Sequence, residues 1–254
     1  MPRPFHFMSK LTWLFDLDNT LHDASHAIFP AITANMNRVI ARVLAESGAD
    51  ATPEAVNAAR LAYWRRYGAT LLGMVRHHQV RPDAFLHEAH QFDDLAAMIR
   101  AERGLGRLLA RLPGRKILLT NAPRRYSQQV LRHLGLHRHF AQHVPIEAMT
   151  VHRQLRPKPS KLMLRRLLAR QRIAPGSAVL VEDTVGHLKG ARALGMRTVW
   201  ITGYLAGSPA AQQHSSAHPA LRRAVRPAYV DVKLKSVTGL PARLRRLGVS
   251  ADRT

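Results

Sequence analysis

Two aspartates, Asp16 and Asp18, stand one residue apart after a short apolar run. Such like charges repel each other unless a cation binds, and hard carboxylate oxygens on a rigid turn suit Mg²⁺. A metal-bound aspartate can attack phosphorus while a neighbouring acid handles the leaving-group proton. The pair therefore predicts metal-assisted phosphoryl transfer. A structural explanation stays open, because two solvated loop acids, with Asp18 or Asn19 capping a helix, would give the same pattern.

Other polar residues also follow apolar runs, at places where strands should end. Glu182 and Asp183 form a second acidic pair, and Thr120 is followed by Asn121, a hydroxyl and an amide that could hold phosphoryl oxygens. Lys158 lies between two prolines, which restrict the backbone, so its ammonium is pre-positioned to neutralise charge on a transferring phosphoryl group. Each residue alone has an ordinary alternative, as a strand cap, a surface lysine or acidic charge at a helix N-terminus.

Four short apolar runs predict β-strands, at 11–15, 116–120, 178–182 and 197–201. Segments with helical periodicity lie between the later strands, at 125–136 and 161–171. This alternation is typical of a parallel sheet covered by helices on both faces. We therefore expect an α/β fold with a Rossmann-like core, and a ligand site beyond the carboxyl ends of its strands.

The interval 24–110 has no strand signal, and its apolar residues recur at helical spacing before Gly48. A second helix should begin at Thr52, with Pro53 in its first turn, and further helices should cover 83–111. This pattern predicts an all-helical cap domain at 24–110, inserted into a core formed by 1–23 and 111–250. We expect a mobile loop at 207–219 and a return to regular structure at 229–248.

Composition narrows the class of protein. The 254 residues include no cysteine, which excludes a disulfide framework, a thiolate zinc site and a cysteine nucleophile. No apolar run has the length of a membrane span, and the N-terminus lacks the apolar core of a signal peptide, so a cytoplasmic protein without a membrane partner is expected.

Net charge is strongly positive, since 39 basic and 16 acidic residues give +23. Such a field attracts nucleic acid, anionic lipid or small anionic substrates. A basic nucleic-acid-binding protein with an inert α/β core is therefore an alternative to an enzyme. The sequence has no aromatic RNA-binding signature, zinc-finger spacing or basic region leading into heptads, so no dedicated nucleic-acid partner is expected. The oligomeric state stays open.

The polar groups follow the order acid pair, threonine, lysine, acid pair along the chain. In this order the sequence resembles the haloacid dehalogenase-like hydrolase superfamily, whose four motifs match DLDNT at 16–20, LLTN at 118–121, Lys158 and VEDT at 181–184. The resemblance covers nearly the whole chain. It implies a Rossmann-like core, a helical cap inserted after the first motif, and a Mg²⁺-dependent phosphatase that acts on a small phosphorylated metabolite.

The resemblance also assigns roles to the motif residues. Asp16 would be the nucleophile and Asp18 the general acid and base, whereas Thr120 and Lys158 would hold the phosphoryl group. Mg²⁺ would be held by the Asp16 carboxylate, the Asp18 backbone carbonyl and Asp183. Dehalogenases and phosphomutases share this fold. Dehalogenation is disfavoured, because it needs no proton-transfer group such as Asp18, but the motifs do not exclude a mutase.

Several stretches resemble more narrowly the pyrimidine 5′-nucleotidase family: DLDNTLHDASHAIFPAI after the first strand, YGATLLG at 67–73, LLTNAPRRY at 118–126 and PIEAM at 145–149. This resemblance implies a pyrimidine nucleoside 5′-monophosphate as substrate, with a sugar phosphate as the alternative. Substrate choice should reside in the cap, because the core motifs handle only the phosphoryl group. We expect Tyr67 and Thr70, beside Gly68, to contact the base or sugar, with Tyr63 and Trp64 as further aromatic candidates; packing within the cap is the alternative.

His187 departs from the superfamily pattern, which usually has asparagine or aspartate at this point after the second acid pair. An imidazole could still hydrogen-bond a metal-bound water, but its protonation below about pH 6.5 would place a second cation near Mg²⁺. Glu182 and His187 are therefore expected to support the metal ligands. Other histidines, including His77 and His78, lack a matched carboxylate partner and are interpreted as surface or core residues.

Overall fold

The computed structural model describes residues 11–206 and 225–248. In this part of the chain the strands are β1 (Thr12–Phe15), β2 (Arg115–Leu119), β3 (Gln142–Val144), β4 (Thr150–Val151), β5 (Gln154–Leu155), β6 (Ala178–Glu182), β7 (Arg197–Ile201) and β8 (Val232–Leu234). The helices are α1 (Ile28–Glu46), α2 (Pro53–Tyr67), α3 (Thr70–His78), α4 (Pro82–Ala89), α5 (Leu95–Met98), α6 (Leu105–Arg111), α7 (Arg124–His133), α8 (Lys161–Arg170) and α9 (Val185–Arg192).

Six strands form one sheet in the order β3-β2-β1-β6-β7-β8, and all neighbouring pairs are parallel. The remaining pair, β4 and β5, forms a separate antiparallel hairpin. The four predicted strands are each confirmed within one residue, and the expected α/β fold with a parallel-sheet core is confirmed. β3 was not predicted, because three residues are too few to show a periodicity. The segment 229–248 does return to the core, through β8.

The central strands are apolar without interruption because both faces of the sheet are covered. Trp13 and Phe15 of β1 point to one face, where they pack with leucines of α6 and with Tyr126 of α7. Leu14 points to the other face and packs with α8 and α9. Since side chains alternate along a strand, these two clusters fix the register of β1 and hence the position of the residues that follow it.

The four helices α1 to α4 share a third apolar cluster, which includes Ile40, Val56, Met74 and Phe85. The predicted start of α2 is confirmed, because the Thr52 side chain accepts a hydrogen bond from the Ala55 amide at 3.4 Å. The division into a cap at 24–110 and a core at 1–23 and 111–250 stays a prediction. The leucines of α6 pack with the sheet, which favours a return to the core at α6.

None of the helices in the described ranges is long and apolar enough to cross a membrane. The loop expected at 207–219 lies outside those ranges.

The contact between α2 and α3 leads to a testable prediction. A Cβ atom added at Gly73 would lie 2.2 Å from Cγ and 2.4 Å from Cβ of Tyr63. Because Cβ of Tyr63 cannot move without its backbone, we expect Gly73→Ala to lower the free energy of unfolding by about 1–3 kcal/mol despite the better helix propensity of alanine. Urea denaturation followed by circular dichroism measures this change.

Gly176→Ala is the matched control, since a Cβ at that position meets no described atom within 4 Å. If both alanine variants unfold at the same urea concentration, the close approach of α2 and α3 is not a constraint on stability.

Candidate active site

The acidic residues lie where the two central strands of the sheet end. Asp16 follows β1 directly, Glu182 is the last residue of β6, and Asp183 comes next. Since β1 and β6 are neighbours in the sheet, their carboxyl ends bring these three carboxylates together. A cavity of about 520 Å³ opens at this edge, and all three residues line it.

Lys158 is the cation of this cluster. Its Nζ atom donates to Asp16 Oδ1 at 2.7 Å and to Glu182 Oε2 at 2.6 Å, and the lysine side chain is only 2% exposed. The Asn121 side chain holds the backbone of Lys158 through two hydrogen bonds. Its Oδ1 accepts from the Lys158 amide at 2.9 Å, and its Nδ2 donates to the Lys158 carbonyl at 3.1 Å. Asn121 thus positions the ammonium through the backbone, and it also lines the cavity.

Burial and neighbouring charges change the pKa values of the three carboxylates and of Lys158. Burial, with a further contribution from Glu182, raises the pKa of Asp16 and that of Asp183 well above their ordinary values. Burial also opposes the ionisation of Glu182, but Lys158 and then His187 outweigh it and hold the pKa of that carboxyl well below its usual range. Despite its own burial, Lys158 has a raised pKa because Asp16 and Glu182 stabilise its charge. The ammonium and the Glu182 carboxylate therefore form the ionised pair.

The remaining negative charge suits a second cation. Asp16, Glu182 and Asp183 each offer an oxygen within 4.8 Å of the others. Because one ammonium cannot compensate all of these carboxylates and oxygen donors suit hard cations, the donor set fits a divalent ion such as Mg²⁺. Asp183 is held by neighbours, since Thr184 Oγ1 donates to its Oδ1 at 3.1 Å and Trp200 Nε1 to its carbonyl at 2.8 Å.

The structure brings most of the predicted site residues to this cavity. Its lining includes Asp16, Asp18, Thr120, Asn121, Lys158, Glu182, Asp183 and His187. His187 Nδ1 lies 3.1 Å from Glu182 Oε2, so the histidine ring contacts the acidic cluster. Thr120 is buried, and its Oγ1 accepts from the Ala122 amide at 3.1 Å.

A sequence model of the haloacid dehalogenase-like hydrolases matches residues 12–195, a range that contains every one of these residues. The chain belongs to the haloacid dehalogenase-like (HAD) hydrolase family.

Solved structures of low sequence identity share the HAD fold. A HAD phosphatase from Thermococcus onnurineus is 17% identical, with a TM-score of 0.59 over 92% of this chain and 97% of that one. YfnB from Bacillus subtilis, solved bound to magnesium, is 17% identical, with a TM-score of 0.52 over 93% and 99%. A 2-haloacid dehalogenase from Pseudomonas syringae is 19% identical, with a TM-score of 0.52 over 93% and 99%. At these identities the likeness shows the fold alone.

Helices α1 and α2 and the segment after α4 line the other part of the cavity that contains the acidic cluster, and Trp64 is the one of the aromatic candidates Tyr63, Trp64 and Tyr67 that lies there. Phe29 and Ile32 come from α1, Trp64 and Arg65 from α2, and His90 follows α4. Desolvation lowers the pKa of His90 to about 4, so its ring is neutral at pH 7. Trp64, Arg65 and the neutral His90 thus line the same cavity as the acidic cluster.

Tyr67 and Thr70 are placed elsewhere. The Tyr67 hydroxyl is hydrogen-bonded to His77 Nε2 at 2.6 Å, and its side chain lines a neighbouring cavity behind Lys158. Thr70 is buried, and its Oγ1 donates to the Arg60 carbonyl at 3.2 Å. Among the described residues, neither Tyr67 nor Thr70 lines the cavity at Asp16 and Lys158, whereas Trp64 and Gly68 of the same segment do.

A substitution of Lys158 tests the buried ion pairing of this lysine with Asp16 and Glu182. Lys158→Met leaves the buried carboxylates of Asp16 and Glu182 without their ammonium, so we expect a loss of about 3–5 kcal/mol in the free energy of unfolding at pH 7. The difference in stability between the variant and the wild type should shrink as the pH falls below about 4. The depressed pKa of Glu182 stabilises the wild type at higher pH, and this stabilisation is lost as the Glu182 carboxylate becomes protonated.

Urea denaturation at several pH values measures both effects, and Lys161→Met, at an exposed lysine, is the control. A Lys158→Met protein as stable as the control at pH 7 would contradict the assigned ion pair.

Proposed function

We propose that this HAD hydrolase is a Mg²⁺-dependent phosphatase that hydrolyses a small phosphomonoester through an aspartyl-phosphate on Asp16. The observation that carries the proposal is the Lys158 ammonium, held within 2.7 Å of both Asp16 and Glu182 at the base of the cavity. A buried cation beside a carboxylate nucleophile provides a place for the negative oxygens of a phosphoryl group, because such fixed charges stabilise charge that develops during transfer.

In the first step a carboxylate oxygen of Asp16 attacks phosphorus, and the bond from phosphorus to the leaving oxygen breaks. Lys158 and Thr120 line the same cavity as the nucleophile, and the ammonium and the hydroxyl would hold the phosphoryl oxygens. Asp18 donates a proton to the leaving oxygen, which departs as an alcohol. In the second step Asp18 takes a proton from water as the water oxygen attacks phosphorus, which releases phosphate and restores Asp16.

The proton-transfer role of Asp18 supports a phosphate ester over a haloacid as substrate. A departing halide needs no proton, whereas an alkoxide leaving group does. Asp18 lines the cavity with a side chain that is 15% exposed, so it can reach a bound molecule.

Asp16, the Asp18 backbone carbonyl and Asp183 would hold the Mg²⁺ ion, with Glu182 and His187 beside them. When bound, the ion supplies positive charge that polarises the phosphoryl group and compensates the carboxylates. The raised pKa values of Asp16 and Asp183 agree with this role, because a bound cation would offset the burial that disfavours their negative charges.

We further propose a pyrimidine nucleoside 5′-monophosphate as the preferred substrate. The cavity volume of about 520 Å³ falls in the range of small-molecule sites, about 300–1,000 Å³. Trp64 offers an aromatic surface on which a base can stack, and the apolar side chains of Phe29 and Ile32 lie on the same side. Trp64, one of the aromatic candidates that the sequence offered, thus takes the role expected of Tyr67 and Thr70. The positive net charge of the chain would attract such an anion.

The nucleophile can be tested directly. We expect release of phosphate from p-nitrophenyl phosphate to require Mg²⁺, and to fall by more than about 10³-fold in Asp16→Asn, because an amide cannot form the acyl phosphate. The variant should be at least as stable as the wild type, since the raised pKa of Asp16 means that the folded protein disfavours the charge. Phosphate release and urea denaturation are measured on the same preparations.

Full activity of Asp16→Asn, or of the wild type in excess chelator, would refute this mechanism.

The substrate can be tested through Trp64. We expect Trp64→Ala to lower kcat/KM for uridine monophosphate about tenfold more than for ethyl phosphate, because stacking on a base contributes about 1–3 kcal/mol. Tyr67→Ala is the matched control, an aromatic residue of the same helix outside the cavity. Equal losses on both substrates would make Trp64 a packing residue. A wild-type preference for sugar phosphates over every nucleotide would exclude the nucleotidase proposal and leave the phosphatase proposal intact.

A further inference from the structure

Asp18 is held by two side chains that lie outside the four HAD motifs. The Tyr126 hydroxyl donates to Asp18 Oδ1 at 2.5 Å, and His22 Nε2 lies 2.8 Å from the same oxygen. Tyr126 belongs to α7, which follows β2, whereas His22 belongs to the turn after β1. Two separate parts of the core therefore converge on one carboxylate oxygen.

The convergence on one oxygen has a chemical consequence. A carboxylate with two donors on Oδ1 has a fixed orientation, and the negative charge of Oδ1 is already stabilised. Neither of these two bonds reaches Oδ2. Since Asp18 lines the cavity, Oδ2 is the oxygen that remains to exchange a proton with a bound molecule.

His22 is placed at a cost to stability. Its side chain has no exposed surface, and the structure shows no described partner for its Nδ1 atom. If the Asp18 carboxylate is ionised, it can only accept, so Nε2 carries the hydrogen and Nδ1 is left as a buried acceptor. Leaving such an atom unpaired is unfavourable, and an apolar side chain would avoid this cost. The contact with Asp18 is the compensating interaction.

Tyr126 is fixed from its other side by the segment that follows α4. Its ring lies 5.3 Å from the ring of His90 and 5.7 Å from that of Phe92, measured between centroids. The tyrosine is only 1% exposed. Its hydroxyl therefore cannot turn to solvent when it is not bonded to Asp18, and it holds a single position.

We propose that Tyr126 and His22 are positioning residues for proton transfer: together they hold Asp18 Oδ1 so that Oδ2 faces the leaving oxygen of the substrate. This inference rests on the proposed phosphatase function. Proton transfer from Oδ2 to the leaving oxygen accompanies breakage of the phosphorus–oxygen bond, and the electron pair of that bond remains on the leaving oxygen. Loss of either contact would let the carboxylate turn and would impair proton transfer by Asp18; kcat/KM reports this defect at the first step, in which the leaving oxygen departs.

The leaving group reveals such a defect. An alkoxide is a poor leaving group, so an alkyl phosphate needs a proton on its leaving oxygen, whereas p-nitrophenolate departs without one. A variant with a misplaced Asp18 should therefore lose activity on an alkyl phosphate but keep it on p-nitrophenyl phosphate. A variant with a general structural defect loses activity on both.

The experiment measures kcat/KM of the full chain with Mg²⁺ on ethyl, phenyl and p-nitrophenyl phosphate. We expect Tyr126→Phe to lose about 100-fold on ethyl phosphate and less than about threefold on p-nitrophenyl phosphate, with phenyl phosphate in between. Asp18→Asn, measured on the same series, should show the same trend with larger losses. His22→Leu should follow Tyr126→Phe, and His22→Gln, which keeps an N–H near the position of Nε2, should recover most of the loss.

Tyr63→Phe is the matched control, because it removes a tyrosine hydroxyl bonded to His78 at 2.7 Å, in the cap. Its losses should be small and equal across the series. Equal losses of Tyr126→Phe on all three substrates, or no loss on ethyl phosphate, would overturn the inference. If Tyr126→Phe does not fold, the comparison of His22→Leu with His22→Gln decides by the same criterion. A wild type inactive on all three substrates would instead refute the proposed function.

Discussion

The buried contact of Lys158 with Asp16 and Glu182 is the interaction on which the rest of the site depends. Three separate stretches of chain supply its members, the end of β1, the end of β6 and the loop before α8. Burying these charges is unfavourable unless they are paired with good geometry. The two contacts, at 2.7 and 2.6 Å, meet that condition, and the amide of Asn121 holds the lysine backbone in place.

The pairing also divides the carboxylates by function. Glu182 is held in the ionised form by Lys158 and His187, so it acts as the permanent counter-ion. Asp16 and Asp183 have raised pKa values, since burial and Glu182 oppose their charges. Both groups would gain from a divalent cation nearby, which agrees with the proposed roles of Asp16 as nucleophile and Asp183 as metal ligand. The Lys158–Glu182 ion pair and the proposed reactive groups thus share one cavity.

The acidic cluster could be predicted from the sequence because a parallel sheet brings the ends of neighbouring strands together. The correct strands and the order of the motifs were enough to identify Asp16, Lys158, Glu182 and Asp183. Tyr126 could not be found in this way. It lies 108 residues from Asp18, and although a buried tyrosine hydroxyl needs a partner, the sequence does not say which one. His22 stood within the first matched stretch, but its contact depends on the turn that Asn19 makes with a φ of 56°.

The wall of the cavity shows a second limit of sequence reasoning. Tyr67 and Trp64 are both aromatic residues near the end of α2, and periodicity gives no reason to prefer either as a substrate contact. The choice depends on how α2 is rotated against α3, which the close approach of Gly73 to Tyr63 fixes. That contact joins two helices and has no signature in either helix alone. The helical pattern of the interval was predictable, but the side chains that face the acidic cluster were not.

Covalent phosphorylation of Asp16 is the most direct test of this account. The Asp18→Asn variant, which lacks the group that activates water, is mixed with p-nitrophenyl phosphate and Mg²⁺, quenched in acid within one turnover, and digested for mass spectrometry. The account predicts one phosphoryl group on the peptide that contains Asp16, absent when Asp16 is also replaced by asparagine. Release of nitrophenol with no phosphoryl group on the protein, or with one on a different residue, would contradict it.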